Sequence, residues 1–207
     1  MTEEPIERAD IVDGLERISE HLERISAAVD DEICRTITGE CESDWVTSRE
    51  VIASEFASMI PLFRLTFRLP ANETGLVALD AMSTLLKIEG AYHRIVLMVD
   101  MIRDVDFESI YMDSLGSISK KVRESVFALK NMALEYRENP EVFSQGRETI
   151  SQLEREVDEE NIIICRQISV ATGGHSDFVC YVMRQIVGEL ERITDHIEDL
   201  VEILEGL

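Results

Sequence analysis

Positive charge is scarce in this sequence. Lys and Arg number 20 against 42 Asp and Glu, a formal net charge of −22. So acidic a surface repels a phosphate backbone and an anionic bilayer alike, which argues against nucleic-acid binding and direct membrane insertion. Metal cations and basic protein patches are the partners it favours. Proline and glycine are also few, four and ten in 207 residues, so breaks are sparse and the elements should be long. With 6% aromatics, the core must come from Leu, Ile, Val, Met and Ala. The four cysteines (Cys34, Cys41, Cys165 and Cys180) contain no CxxC pair. Cys165 and Cys180 lie in apolar runs and read as small buried hydrophobes. No segment approaches the ~20 apolar residues of a membrane span. Met1-Thr2-Glu3-Glu4-Pro5 has neither the basic nor the apolar region of a signal peptide. The expected location is the cytoplasm, peripheral to a membrane only through a partner.

What the chain does have is helical periodicity. Ile11, Leu15, Ile18, Leu22, Ile25 and Val29 recur every three or four residues, which predicts a first helix from about Ile6 to Thr38. Gly39 reads as its stop, and Cys41 to Asp44 as a turn with Ser43 or Asp44 as cap. A second helix is predicted from Trp45 to about Phe67, with Val51, Phe56, Ile60, Phe63 and Leu65 on its apolar side and a kink or break at Pro61. After the Pro70-Ala71-Asn72 loop, a third helix runs from Leu76 to Ile102, with Leu79, Met82, Leu86, Tyr92, Ile95 and Val99 toward the core. A fourth is predicted from Phe107 to Tyr136 and a fifth from Pro140 to Ile168. A sixth runs from Phe178 to Leu204, capped by Ser176 or Asp177. Nothing alternates with period two. The prediction is an all-α protein of six long antiparallel helices.

The pattern also reads as one unit written twice. Glu50 and Glu154 stand 104 positions apart, and Glu89 and Glu191 stand 102 apart. Both glycine- or proline-bearing loops fall between the second and third helix of their half. This predicts two tandem three-helix bundles, residues 1–104 and 105–207, forming one compact unit.

Chemistry is concentrated in the fifth and sixth helices. Glu154 and Asp158 are four apart, and so are Glu191 and Asp195. Residues at that spacing share a helix face, where like charges repel by a few tenths of a kcal/mol. Something should offset this. A shared cation is one answer, and pairing to Arg155, Arg166 and Arg192 is the other. If the two helices are neighbours, four carboxylates converge, as in bundles that build metal sites from inward acids. Hard oxygens suit magnesium, calcium, manganese or iron, and with histidine also zinc, so the ion is divalent or trivalent. Asp199 extends the sixth-helix column by a turn. In the first half, Glu89 and His93 form a second spaced pair and Glu50 is a further candidate, but Ser54 and His93 stand where acids are expected. No catalytic constellation is visible. There is no glycine-rich phosphate loop, and Glu89/His93 has not the Glu-x-x-His spacing of di-iron bundles. The chain is therefore not expected to be an enzyme. A metal-free helical scaffold is the alternative to a metal-binding protein.

Ile150-Ser151-Gln152-Leu153-Glu154-Arg155-Glu156-Val157-Asp158 resembles the I-x-x-L-E-x-E-x-D element of PhoU-like phosphate-transport regulators. Leu190-Glu191-Arg192-Ile193-Thr194-Asp195-His196 is similar to that family's L-E-R-I-x-D-H element, and Phe67-Arg68-Leu69-Pro70 to a loop of its Pit-accessory branch. The resemblance implies the tandem three-helix fold and metal on Glu154, Asp158, Glu191 and Asp195. It also implies a regulator of phosphate uptake that works through a membrane transporter or a sensor kinase. The acidic outer faces leave room for a homo-oligomer.

Overall fold

The computed structural model describes residues 8–38, 45–102, 110–135, 139–171, 173–175 and 177–205. They form six α-helices: α1 (Arg8–Thr38), α2 (Trp45–Phe63), α3 (Glu73–Ile102), α4 (Ile110–Glu135), α5 (Pro140–Ala171) and α6 (Phe178–Leu204). A 3-10 turn, Arg64–Arg68, follows α2. There is no strand among the described residues. The all-α prediction holds, and the predicted sixth helix has the observed limits. The predicted stops at Gly39, the 41–44 turn, the boundary at Asp104 and the Ser176 cap lie outside the described residues.

The helix ends follow from local chemistry. The Asp177 side chain accepts a hydrogen bond from the Cys180 backbone N–H at 2.8 Å, satisfying one of the orphan donors at the start of α6. At the end of α5, Gly173 (φ 58°) and Gly174 (φ 80°) take the left-handed conformation. Their N–H groups reach back to the carbonyls of Val170 and Ser169, the Schellman pattern that closes a helix. Asn72 caps α3 by accepting from Gly75 N–H at 2.9 Å. A Cβ on Gly75 would stand 1.7 Å from the Pro70 carbonyl oxygen, so only glycine lets that loop fold against its helix. Pro61 lies inside α2, and the α-helix gives way to the 3-10 turn two residues after Phe63's predecessor Leu62. The break expected at this proline is therefore present, and the helix ends at Phe63 rather than Phe67.

All six helices feed one continuous hydrophobic core. Neighbours run antiparallel. Asp30 with Arg123 (3.2 Å) and Glu23 with Lys130 (3.7 Å) set the register of α1 on α4. Asp30 is buried, and its cost is offset by the Ser119 hydroxyl, which donates to it at 2.7 Å. The α3–α6 pair is tied by Arg94 and Glu189 at 2.7 Å. Across the two halves, first helix packs on first (α1 on α4) and third on third (α3 on α6).

Two helix faces differ from expectation. On α2, Phe56 is buried as expected, but Val51 and Ile60 are exposed, and Ile52 and Met59 face the core in their place. On α3, Leu79 and Leu86 are exposed, while Ala78, Met82, Leu85, Tyr92 and Ile95 are buried. Both helices carry apolar residues nearly all round, so periodicity leaves their rotation ambiguous by one position. Cys165 and Cys180 are only half-buried, and Cys34 is exposed; the Cys165 thiol donates to Asn161 Oδ1 at 3.4 Å. Neighbouring α2 positions should therefore behave oppositely. Ile52→Ala should cost roughly 2–5 kcal/mol in chemical denaturation, whereas Val51→Ser should stay within about 0.5 kcal/mol. Equal losses would contradict the observed rotation.

Candidate metal centre

The site is set by how α6 is rotated. Leu190, Ile193 and Ile197 are buried in the core. Glu191, Asp195 and Glu198 therefore fall together on the flank toward α5. On α5, Ile150, Leu153, Val157 and Ile164 are buried, and Ser151, Glu154, Asp158 and Asn161 form the facing column. The columns are locked at both ends. Ser151 Oγ donates to Glu198 Oε1 at 2.6 Å, and Asn161 Nδ2 donates to Glu191 Oε2 at 2.5 Å.

Between these ties, carboxylate oxygens of Glu154, Asp158 and Asp195 all lie within 4.8 Å of one another. The crowding shows in their proton affinities. Burial, then the charges of Asp158, Glu198 and Asp195, raise the Glu154 pKa from 4.5 to about 6. Burial and Asp158 likewise push Glu191 and Asp195 upward. Among the described residues, no Lys or Arg forms an ion pair with Glu154, Asp158 or Asp195. Arg192 turns to Glu189 at 2.5 Å, and Arg155 Nε donates to the Ser151 carbonyl at 2.9 Å. Arg192 still holds the Glu191 pKa down through its charge, against the larger upward push of burial and Asp158. Oxygens bound to one ion at 2.0–2.6 Å stand roughly 3–5 Å apart, so this donor set fits a hard cation.

The other candidates are placed apart. Asp199 is largely exposed and lies 3.7 Å from His196 Nδ1, beside the triad rather than in it. Glu89 pairs with His93 Nε2 at 3.4 Å, and burial raises its pKa. The His93 ring stacks on Phe56, centroids 3.9 Å apart and planes at 10°. Arg49 meets Asp100 at 3.2 Å in the same antiparallel register. Glu50 therefore stands about 9 Å along the helix pair from His93, and it is exposed, as is Ser54. In the first half an aromatic contact occupies the α2–α3 seam where α5 and α6 bring acids together.

No family model matches the sequence, and none of the curated proteins does. A solved structure matches in shape: the crystal structure of the phosphate transport system regulatory protein PhoU from Streptococcus pneumoniae. The TM-score is 0.61 over 95% of this chain and 92% of that one, at 13% identity. The fold is PhoU-like. Of the four spaced acids of α5 and α6, Glu154, Asp158 and Asp195 lie together, and Glu191 stands beside them, within reach of Asp158. Glu198, Ser151 and Asn161 also shape the site and escaped the sequence reading. The signal was present: Glu191, Asp195 and Glu198 continue one face at i, i+4 and i+7, as Glu154, Asp158 and Asn161 do on α5.

The raised Glu154 pKa has a measurable sign. Its folded value, about 6, lies above its ordinary 4.5. Between those values the folded state binds the extra proton, so this group's penalty is full above pH 6 and is relieved as pH falls toward 4.5. In the absence of metal, Glu154→Gln should raise the melting temperature at pH 7.5 and lose most of that advantage by pH 4.5. An advantage of the same size at both pH values would contradict the crowding.

Proposed function

We propose that this chain is a regulatory or accessory protein of phosphate uptake. It binds a membrane phosphate transporter or a sensor kinase, and holds a divalent or trivalent cation on Glu154, Asp158 and Asp195 with Glu191 beside them. The observation that carries the regulatory reading is the likeness, over nearly the whole chain, to PhoU of Streptococcus pneumoniae, a phosphate transport system regulatory protein. Among the described residues, no helix is long and apolar enough to cross a membrane, which fits action through a membrane partner. The pairing of α1 with α4 and α3 with α6 supports reading residues 1–104 and 105–207 as tandem repeats. We read the chain as a binding protein rather than a catalyst.

The cation reading rests on three converging carboxylates that have no arginine or lysine ion pair among the described residues. A bound cation would neutralise them and cross-link α5 to α6. The competing reading, a metal-free scaffold, keeps the same fold and leaves the acids to solvent. Titrating manganese, magnesium, calcium, zinc or iron into the apo-protein separates the two. An ion at about 100 times its Kd adds roughly 2.7 kcal/mol to native stability, which for a chain of this size is a rise of roughly 5–10 °C in Tm. The double variant Asp158→Asn, Asp195→Asn should lose that rise while keeping its helical content. No rise with any of the five ions would leave the scaffold reading standing.

The regulatory reading has its own test in the source cells. Removing the chain should change the rate of phosphate uptake in phosphate-replete medium, and restoring it should reverse the change. Unaltered uptake under both replete and starved conditions would sink the assignment.

A further inference from the structure

Glu154 and Asp158 lie on the flank of α5 toward α6. The other flank of α5 forms an open groove with α4, about 570 Å³ in volume. Its floor is apolar, made by Ala128 and Met132 from α4 and by Val142, Gly146 and Leu153 from α5. A Cβ on Gly146 would stand 2.3 Å from Met132 Cγ, so the two helices close up here and Met132 rests on Gly146. An unbranched thioether in that position adapts to whatever packs on it. Phe127, 49% exposed, stands at the α4 edge, with Lys130 Nζ 5.0 Å from its ring centroid. The lining residues of α5 run from Val142 to Glu156, about 21 Å of helix at 1.5 Å per residue.

The rims of this groove are acidic. Glu124 and Glu156 line it directly. Gln145 and Gln152 line it too, and Glu141 and Glu148 complete their row at three- and four-residue spacing. Glu124, Glu141 and Glu148 are exposed, and among the described residues they form no ion pair. The nearby bases are directed elsewhere. Lys120 and Lys121 stand at one end, where Lys121 pairs with Glu156 at 3.0 Å and Glu160 at 2.8 Å. Arg147 pairs with Glu205, Arg155 donates to the Ser151 carbonyl at 2.9 Å, and Lys130 reaches Glu23 on α1 at 3.7 Å. Acidic rims around an apolar floor repel an anionic lipid or a nucleic acid. They attract a partner that is both cationic and apolar.

We propose that the α4–α5 groove docks a Lys- and Arg-rich amphipathic helix of the membrane partner. The inference rests on the regulatory reading above and supplies the element by which that partner is recognised. Segments of membrane proteins that face the cytoplasm carry an excess of Lys and Arg, which is the sign the rims require. The walls favour a helix over a strand. Among the described residues there is no strand edge to extend. Two helix ridges with an apolar trough between them accept a third helix by its apolar residues at i, i+3, i+4 and i+7. The groove uses none of Glu154, Asp158, Glu191 or Asp195, so docking does not depend on an occupied cation site.

Fluorescence anisotropy with the full chain and a labelled Leu/Lys peptide of about 18 residues, its leucines at helical spacing, tests the docking. The peptide should bind, and a scrambled peptide of the same composition should bind roughly tenfold more weakly. Thr149→Trp fills the groove, and the pair Glu124→Lys, Glu148→Lys reverses its rims. All three positions are exposed, so helical circular dichroism should be unchanged. Each variant should weaken the amphipathic peptide by roughly tenfold. The pair Glu73→Lys, Asp80→Lys makes the same charge change on α3 and should leave binding within about twofold. Equal binding of the two peptides, or equal losses from the α3 and groove variants, would mean charge attraction alone and overturn the proposal. So would absence of binding up to sub-millimolar peptide, or a second copy of the chain in the groove, seen as a dimer that Thr149→Trp dissociates. In the source cells, the Glu124→Lys, Glu148→Lys chain should alter phosphate uptake as removal of the chain does. Normal uptake with that variant, where removal changes it, would overturn the groove and leave the regulatory reading intact.

Discussion

The rotation of α6 about its own axis governs the site. Each fully buried Ile or Leu on its inner face contributes roughly 1.5–3 kcal/mol, and Leu190, Ile193, Ile197 and Leu200 are all buried. Turning the helix to move one acid away from α5 would expose this stripe. That cost far exceeds the few tenths of a kcal/mol at stake in a like-charge pair on a helix surface. The apolar core therefore holds Glu191, Asp195 and Glu198 against the column of Glu154 and Asp158, whatever their charges prefer.

Held together in this way, the acids can respond only by binding a proton or a cation. The raised pKa of Glu154 is the proton response. The absence of a lysine or arginine ion pair to the triad, among the described residues, leaves the cation response open. Elsewhere in the molecule the same problem is solved from within. Asp30 is buried with Ser119 and Arg123, Glu189 is clamped by Arg94 and Arg192, and Glu55 is held by His21 and Arg24. Among the described residues the buried acids Asp30, Glu32 and Glu189 each have such a partner, whereas the crowded acids between α5 and α6 form no ion pair with lysine or arginine.

How much of this was legible in the sequence depended on contrast between helix faces. On α6 one face is mostly Ile, Leu and Val and the middle and end of the other are charged, so its limits and acids could be read directly, and its cap was narrowed to Ser176 or Asp177. The i, i+4 spacing put Glu154 and Asp158 on one face of α5 and Glu191 and Asp195 on one face of α6, and the packing of the two helices brings three of them, Glu154, Asp158 and Asp195, within 4.8 Å. On α2 and α3 the contrast is lost. Leu79 and Leu86 read as core because leucine usually is, and the surface that they form is visible only once Leu85 and Ala78 are seen to fill the interior. Glu50 was matched to Glu154 by counting residues. The structure pairs α2 with α3 in a register that puts Phe56 against His93, and residue counts carry no information on such a shift. Pro61 announced a break in α2, but not that the α-helix would end at Phe63 and pass into the 3-10 turn Arg64–Arg68.

The most direct measurement is a crystal of the metal-soaked protein with anomalous data collected at the edge of the ion used. A peak bonded at roughly 2.0–2.6 Å to carboxylate oxygens of Glu154, Asp158 and Asp195 is the result expected for a hard-cation centre. A soaked crystal with no anomalous peak between α5 and α6, or with its ion bound only elsewhere, would contradict it.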